Sequence, residues 1–132
     1  MSQIQQYSRA RIAITTAFII NGTVIGALYA RIPDIKEQLD ISNSALGIAL
    51  LCLPLGLLFG LGFSGKQSAK RGSAPVTYYS TYALAIALLI VGPVINYYTF
   101  CLTFVLFGAC LATQDVAMNS HAIVLEHEAD RR

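Results

Sequence analysis

The sequence has 132 residues, of which 55% are hydrophobic and only 12% are charged, and its formal net charge is +2. Soluble domains contain about 25% charged residues and show a polar face on every surface helix. Long stretches of this sequence lack such a face, which excludes an ordinary soluble domain. Its few basic residues are not interleaved with aromatic residues, which argues against nucleic-acid binding. The sequence therefore predicts an integral membrane protein.

Four long apolar blocks follow one another along the chain. A helix needs roughly 20 apolar residues to cross the hydrocarbon core of a bilayer, and each block comes close to that length. The predicted membrane helices cover residues 12–30, 45–63, 76–95 and 97–118. We therefore expect an all-α membrane protein with four transmembrane helices, in contact with membrane lipid.

The first predicted span contains an amide near its middle and two glycines four residues apart. An unpaired amide is costly in hydrocarbon, so Asn21 should face either other protein or a water-filled cavity. The residue pattern leaves both environments open. Gly22 and Gly26 are spaced so that another helix could approach this span closely.

The connection after the first span has a helical pattern of its own. Pro33 is suited to the first turn of a helix, and the apolar residues that follow it share one face. We expect a short helix at about residues 33–40, lying at the membrane surface. Ser42 or Ser44 should then cap the second span by accepting hydrogen bonds from its free backbone N–H groups.

Two further patterns predict how the spans pack. Gly56, Gly60 and Ser64 repeat at intervals of four in the second span, which favours close contact with another helix. Gly92 and Pro93 predict a tight turn between the third and fourth spans. Those two spans should therefore be antiparallel neighbours.

A polar stretch, residues 65–75, separates the second and third spans and is expected to form a loop. Positively charged loops stay in the cytoplasm. Only Arg31 and Lys36 lie on the opposite side of the membrane from this stretch. The other basic residues share its side, and they are Arg9, Arg11, Lys66, Lys70, Arg71, Arg131 and Arg132. We therefore expect the stretch and both chain ends to be cytoplasmic.

The fourth span becomes polar towards its cytoplasmic end, where it contains Gln114, Asp115, Asn119 and His121. Asp115 and Asn119 are four residues apart and share a helix face. Asp115 is the only charged residue inside any of the four blocks, and an acidic residue within the membrane suggests a functional site. The alternative is an interfacial carboxylate paired with the basic residues of the polar stretch. We interpret His121 as part of a solvated helix end.

Two stretches around these features resemble the major facilitator superfamily, in particular its fucose-permease-like bacterial branch. Residues 30–47 are similar to the family's outer loop and the start of its second helix. Residues 115–119 are similar to an acid-x-A-x-N run on the fourth helix of fucose-type permeases. In those permeases the acid lies on the substrate and proton pathway.

The polar stretch also resembles a family motif, the cytoplasmic signature G-x-x-x-D-R-x-G-R between the second and third helices. Gly65, Lys70 and Gly72 match this signature by position or by charge. Ala69 stands where the signature has its Asp, and Ser73 stands where it has its final Arg. The charge relay of the family at this loop is therefore not expected to operate here in its usual form.

The resemblance implies that the chain is the N-terminal part of a secondary active transporter. Family members have twelve helices in two six-helix halves, each built from inverted three-helix repeats, so this chain corresponds to the start of the fold. We expect alternating access, proton coupling, a small polar and sugar-like solute, and a bacterial inner-membrane location. Partner helices would come from the missing C-terminal part of the parent protein. The pathway residues are then Asn21, Gln114, Asp115 and Asn119.

Two other functions remain open from the sequence. One is a self-contained four-helix homodimer similar to small multidrug exporters, although those use a Glu in the first span and this span has no acid. The other is an inactive remnant in which polar residues only hold helices together. An enzyme is not expected, because no nucleophile–base pair, metal set or cofactor loop is visible. We therefore expect no cofactor and no bound metal.

Overall fold

The computed structural model describes residues 3–130, and within that range the regular secondary structure is entirely helical. The helices are α1 (Gln3–Gln38), α2 (Asn43–Arg71), α3 (Ser73–Val91) and α4 (Tyr97–Asp130). Each contains a stretch long and apolar enough to cross a membrane. The predicted all-α class with four membrane-spanning helices is therefore confirmed. Arg131 and Arg132, which were assigned to the cytoplasmic side, lie outside the described residues.

The first helix is longer than the first apolar block. α1 runs through Pro33 to Gln38, so residues 33–38 are helical but continue α1 and do not form a separate surface helix. Asp40 then reverses the chain with φ of 47°, in the left-handed region that Asp tolerates better than most residues. Ser42 caps α2 as expected, because its Oγ accepts a hydrogen bond of 3.2 Å from the Ala45 N–H.

The polar stretch at residues 65–75 is almost wholly helical, and the expected loop is wrong. α2 continues to Arg71 and α3 begins at Ser73, so Gly72 alone separates them. Its φ of 82° is accessible to glycine without steric cost, and its N–H donates to the Ser68 carbonyl over 3.0 Å. The residues before it include Lys, Gln, Ala and Arg, which are good helix formers. Charge therefore marks the edge of the membrane here and not the end of the helix.

The connections define two ends of the bundle. We call the end with residues 39–42 and 92–96 the outer end, and the end with Gly72 the inner end. At the outer end, Gln38 Nε2 donates to the Val94 carbonyl over 2.8 Å. There the Tyr97 hydroxyl also donates to the Ala45 carbonyl over 3.0 Å. These bonds join α1 to the α3–α4 turn and α4 to the start of α2.

Small residues allow α2 and α4 to cross at very short range. A Cβ atom added to Gly56 would collide with the Val105 carbonyl, and one added to Gly108 would collide with the Leu53 carbonyl. Nearby, Ser64 Oγ donates to a backbone carbonyl of α4 over 2.9 Å. The predicted small-residue packing face of the second span is therefore confirmed, and its partner is α4.

An apolar core joins α1, α3 and α4 beside this crossing. The rings of Phe100 and Phe104 pack edge to face with centroids 4.5 Å apart. The largest fully buried members of the core are Leu28, Ile35, Leu84, Val91, Phe100, Phe104 and Phe107, and α2 contributes the fully buried Ala49. In contrast, α2 exposes large apolar side chains along much of its length, which suits contact with lipid or with further helices.

Gly108→Ala should destabilise the protein, because the new methyl group would meet the backbone of α2 and force the helices apart. We expect a loss of about 1–3 kcal/mol, measured as thermal unfolding in detergent. Gly62→Ala is the matched control, since a Cβ there meets nothing within 4 Å and should be neutral or stabilising. Equal stability of the two variants would contradict the close α2–α4 crossing.

Cysteine labelling should place the outer and inner ends of the bundle on opposite sides of the membrane. Glu37 and Lys66 are both exposed. In a background where Cys52, Cys101 and Cys110 are alanine, we expect Glu37→Cys to react with an impermeant maleimide on intact cells. Lys66→Cys should react only in inverted vesicles, because the basic side stays in the cytoplasm. The opposite pattern would reverse the predicted orientation.

Candidate functional site

The polar residues of α4 lie inside its candidate membrane span, Tyr97–Val124. Asp115 and Asn119 are both exposed. The neighbouring residues that turn into the bundle are Thr113, Gln114, Ala117 and Met118. Asn119 Nδ2 donates to the Asp115 backbone carbonyl over 2.9 Å, so the Asp115 carboxylate stays available. The predicted shared face of Asp115 and Asn119 is present.

The Asp115 carboxylate has no cationic partner among residues 3–130. The alternative of an interfacial carboxylate needs an ion pair between Asp115 and Lys70 or Arg71. Within the described residues neither basic side chain forms an ion pair with Asp115. A carboxylate exposed on a membrane helix without a partner is expensive in hydrocarbon. This face is therefore suited to water or to polar groups and not to lipid tails.

Gln114 points in a different direction from Asp115, towards α3. It is completely buried, and its Nε2 donates to Thr81 Oγ1 over 3.2 Å. Thr81 in turn donates to the Thr77 carbonyl over 2.8 Å. Gln114 Oε1 has no hydrogen-bond partner among the described residues. The amide therefore links α4 to α3 and retains one unused acceptor.

Asn21 occupies the buried stripe of α1. It is 6% exposed and lies in line with the buried residues Ala17, Val24 and Leu28. Its Oδ1 also lacks a hydrogen-bond partner within the described part of the chain. The four predicted pathway residues thus divide into two environments. Asn21 and Gln114 are inside the bundle, whereas the Asp115–Asn119 pair lies on its surface.

His121 borders a cavity that the sequence interpretation missed. The cavity has a volume of about 530 Å³ and lies between α1 and α3. The hydroxyl and imidazole groups along it belong to Thr16, Thr77, Tyr78, Thr81, Tyr82 and His121. His121 is half-buried, so it is not simply a solvated helix end. Its spacing from Gln114 and Met118, which are both fully buried, is the signal that could have shown this.

The residues that match the loop signature lie at the inner end of α2. Gly65 and Lys70 are exposed in its last turns, and a Cβ on Gly65 would meet nothing within 4 Å. Gly72 is different, because its positive φ is strained for any residue with a side chain. Of these residues, only Gly72 is required by the local backbone geometry.

Comparison with known proteins identifies relatives along most of the chain. It is 33% identical over 114 residues to the membrane protein MosC of Rhizobium meliloti. It is 25% identical over 118 residues to an uncharacterised transporter of Sinorhizobium fredii. It is 26% identical over 121 residues to an uncharacterised MFS-type transporter of Yersinia pestis, where MFS denotes the major facilitator superfamily.

These alignments cover 86%, 89% and 92% of the chain, so the similarity extends through all four helices. The chain is therefore similar to a segment of a major facilitator superfamily transporter. It spans only 28%, 31% and 32% of the lengths of those three relatives, so it corresponds to about a third of such a transporter. No family model matches the sequence. No solved structure matches it either.

Gln114→Leu should leave the stability of this chain unchanged or raise it by about 1 kcal/mol. The change removes a hydrogen bond to Thr81 but also removes a buried oxygen that has no partner in the described part of the chain. Ser64→Ala is the contrasting variant, because it removes a satisfied buried hydroxyl and should cost about 1 kcal/mol. Thermal unfolding in detergent measures both. A larger loss of stability for Gln114→Leu than for Ser64→Ala would contradict the interpretation of Gln114 Oε1 as an unused acceptor.

Proposed function

We propose that this chain is the N-terminal part of a secondary active transporter that moves a small polar, sugar-like solute by alternating access with proton coupling. Its similarity to transporters of the major facilitator superfamily supports the transporter class. The fucose-permease-like branch, suggested by residues 115–119, supports the sugar-like solute. Because the chain has about a third of the length of its relatives, a complete pathway would need further helices.

The exposed Asp115, which has no cationic partner among residues 3–130, is the observation on which this proposal depends. A charged side chain at the centre of a membrane helix costs about 2.5–3.5 kcal/mol when it faces lipid. That cost disappears if the Asp115–Asn119 face borders a water-filled path between this segment and the remainder of the transporter. In the proposal Asp115 takes up and releases the proton, and Asn119 contacts the solute.

Asn21 and Gln114 have a second role in the proposal. Each has a buried amide oxygen with no hydrogen-bond partner among the described residues, and leaving such a group unsatisfied costs about 1–3 kcal/mol. A solute hydroxyl could donate to either oxygen and recover part of that energy. Both amides are buried, so α1 would have to move relative to α3 and α4 before a solute reached them. Such movement is consistent with alternating access.

The proposed location is the inner membrane of a bacterium, with both chain ends in the cytoplasm. The three relatives described above come from bacteria, and two of them are named as transporters. The excess of basic residues at the inner end supports a cytoplasmic position for that end. Proton uptake from outside would then follow α4 towards Asp115.

Asp115→Asn should abolish proton-driven accumulation while preserving solute binding. The amide keeps the size and most hydrogen bonds of the carboxylate but cannot carry the proton. The test uses a chimera in which this chain replaces the matching segment of the Yersinia pestis relative. External alkalinisation on addition of each member of a sugar panel measures coupled uptake. Asp34→Asn, an exposed acid at the outer end, is the matched control and should retain coupling.

Three outcomes would contradict the proposal. Full coupling in Asp115→Asn, with normal membrane expression, would exclude Asp115 as the proton site. Robust uptake by the 132-residue chain alone, reconstituted in vesicles, would instead favour the four-helix homodimer. If Asp115→Asn lowers expression but not coupling per transporter, the carboxylate has a structural role only.

A further inference from the structure

A cavity of about 280 Å³ opens at the inner end between α2, α3 and α4. One part of its wall can donate hydrogen bonds and the other part is apolar. The donors are Gln67, Arg71 and Tyr79, and the apolar wall includes Phe63 and Val76. Such a cavity is suited to a molecule with a polar group and an apolar portion.

The positive charge around this cavity is not neutralised within the described part of the chain. Lys66, Lys70 and Arg71 are all exposed, and none of them forms an ion pair with a carboxylate of the described residues. Ala69 is their neighbour at the position where the superfamily signature has an Asp. Three cations within two turns of α2 create a local positive potential that attracts an anion.

An apolar groove continues from the cavity along the interface of α3 and α4. A second cavity of about 220 Å³ lies there, and Ala83 lines both cavities. The groove then passes Ile86, Ile90 and Leu106. From Val76 to Ile90 the helix rises roughly 21 Å, which exceeds the ~15 Å depth of one hydrocarbon leaflet. The groove is therefore long enough for the acyl chain of a membrane lipid.

We infer that the inner end binds an anionic phospholipid, with its phosphate at Arg71 and Lys70 and one acyl chain in the α3–α4 groove. Anionic headgroups bind basic pockets between membrane helices, because each Lys or Arg near the surface adds attraction. A soluble anion would explain the charge but not the apolar groove that adjoins it. Zwitterionic lipid would fill the groove but gain little from the cations.

Native mass spectrometry of the detergent-solubilised chain tests this site. Phosphatidylglycerol and phosphatidylcholine with identical acyl chains are titrated, and the bound lipid is counted per chain. K70Q/R71Q should bind phosphatidylglycerol roughly thirty-fold more weakly than the unmodified chain. R31Q/K36Q removes the same charge at the outer end and should bind it normally. Circular dichroism checks that both variants remain helical.

A second pair of variants tests the groove without altering charge. Ala83→Phe should weaken phosphatidylglycerol binding, because the ring fills the place where the two cavities meet. Ala85→Phe is its control, since Ala85 is also exposed on α3 but borders the cavity near His121. We expect excess inorganic phosphate to leave lipid binding unchanged.

Four results would overturn the lipid site. Equal retention of phosphatidylcholine and phosphatidylglycerol would show that the cations contribute nothing. An equal loss in K70Q/R71Q and R31Q/K36Q would show that only net charge matters. Displacement by inorganic phosphate, with Ala83→Phe behaving like Ala85→Phe, would show that the cavity binds a free anion. Retention of neither lipid by the unmodified chain would also reject the proposal.

Discussion

The short-range crossing of α2 and α4 determines how the rest of the bundle is arranged. Gly56 and Gly108 bring the two backbones together, and Ser64 adds a hydrogen bond between the same helices. This contact fixes the rotation of α4 about its own axis. Because successive residues are about 100° apart around a helix, it also fixes the direction of every other α4 side chain. With Thr113 against α2 and Gln114 against α3, Asp115 is directed away from both. The position of the candidate proton site is thus a consequence of glycine packing on a different face.

The sequence predicted the features that depend on local spacing or apolar length. The four spans follow from their apolar content, and the α2 packing face follows from the spacing of Gly56, Gly60 and Ser64. The helix ends were harder to predict. Hydropathy indicates where the apolar part of a helix ends, but the helical hydrogen bonding of the backbone can continue beyond that point. Residues 65–71 are charged and polar but strongly helix-forming, and they extend α2 beyond the membrane block.

The candidate site was predictable as a set of residues but not as an arrangement. Polarity within or just after the apolar blocks, together with the resemblance to the major facilitator superfamily, singled out Asn21, Gln114, Asp115 and Asn119. Their separation into buried and exposed pairs depends on which neighbour each helix face meets, and a single sequence does not contain that information. His121 illustrates the same limit, because its surroundings come from α1 and α3 and not from the polar residues that follow it in the chain.

The single residue between α2 and α3 has a mechanical consequence. A joint of one glycine has no spare length, so neither helix can slide along its axis without pulling the other. α2 and α3 can rotate relative to each other about the Gly72 dihedral angles, and they otherwise move as one rigid pair. The connection at residues 39–42 is longer, and α4 is held against α2 by the close glycine crossing, which leaves α1 as the helix able to shift against that pair. α1 contains Asn21, one of the residues assigned to the proposed solute path.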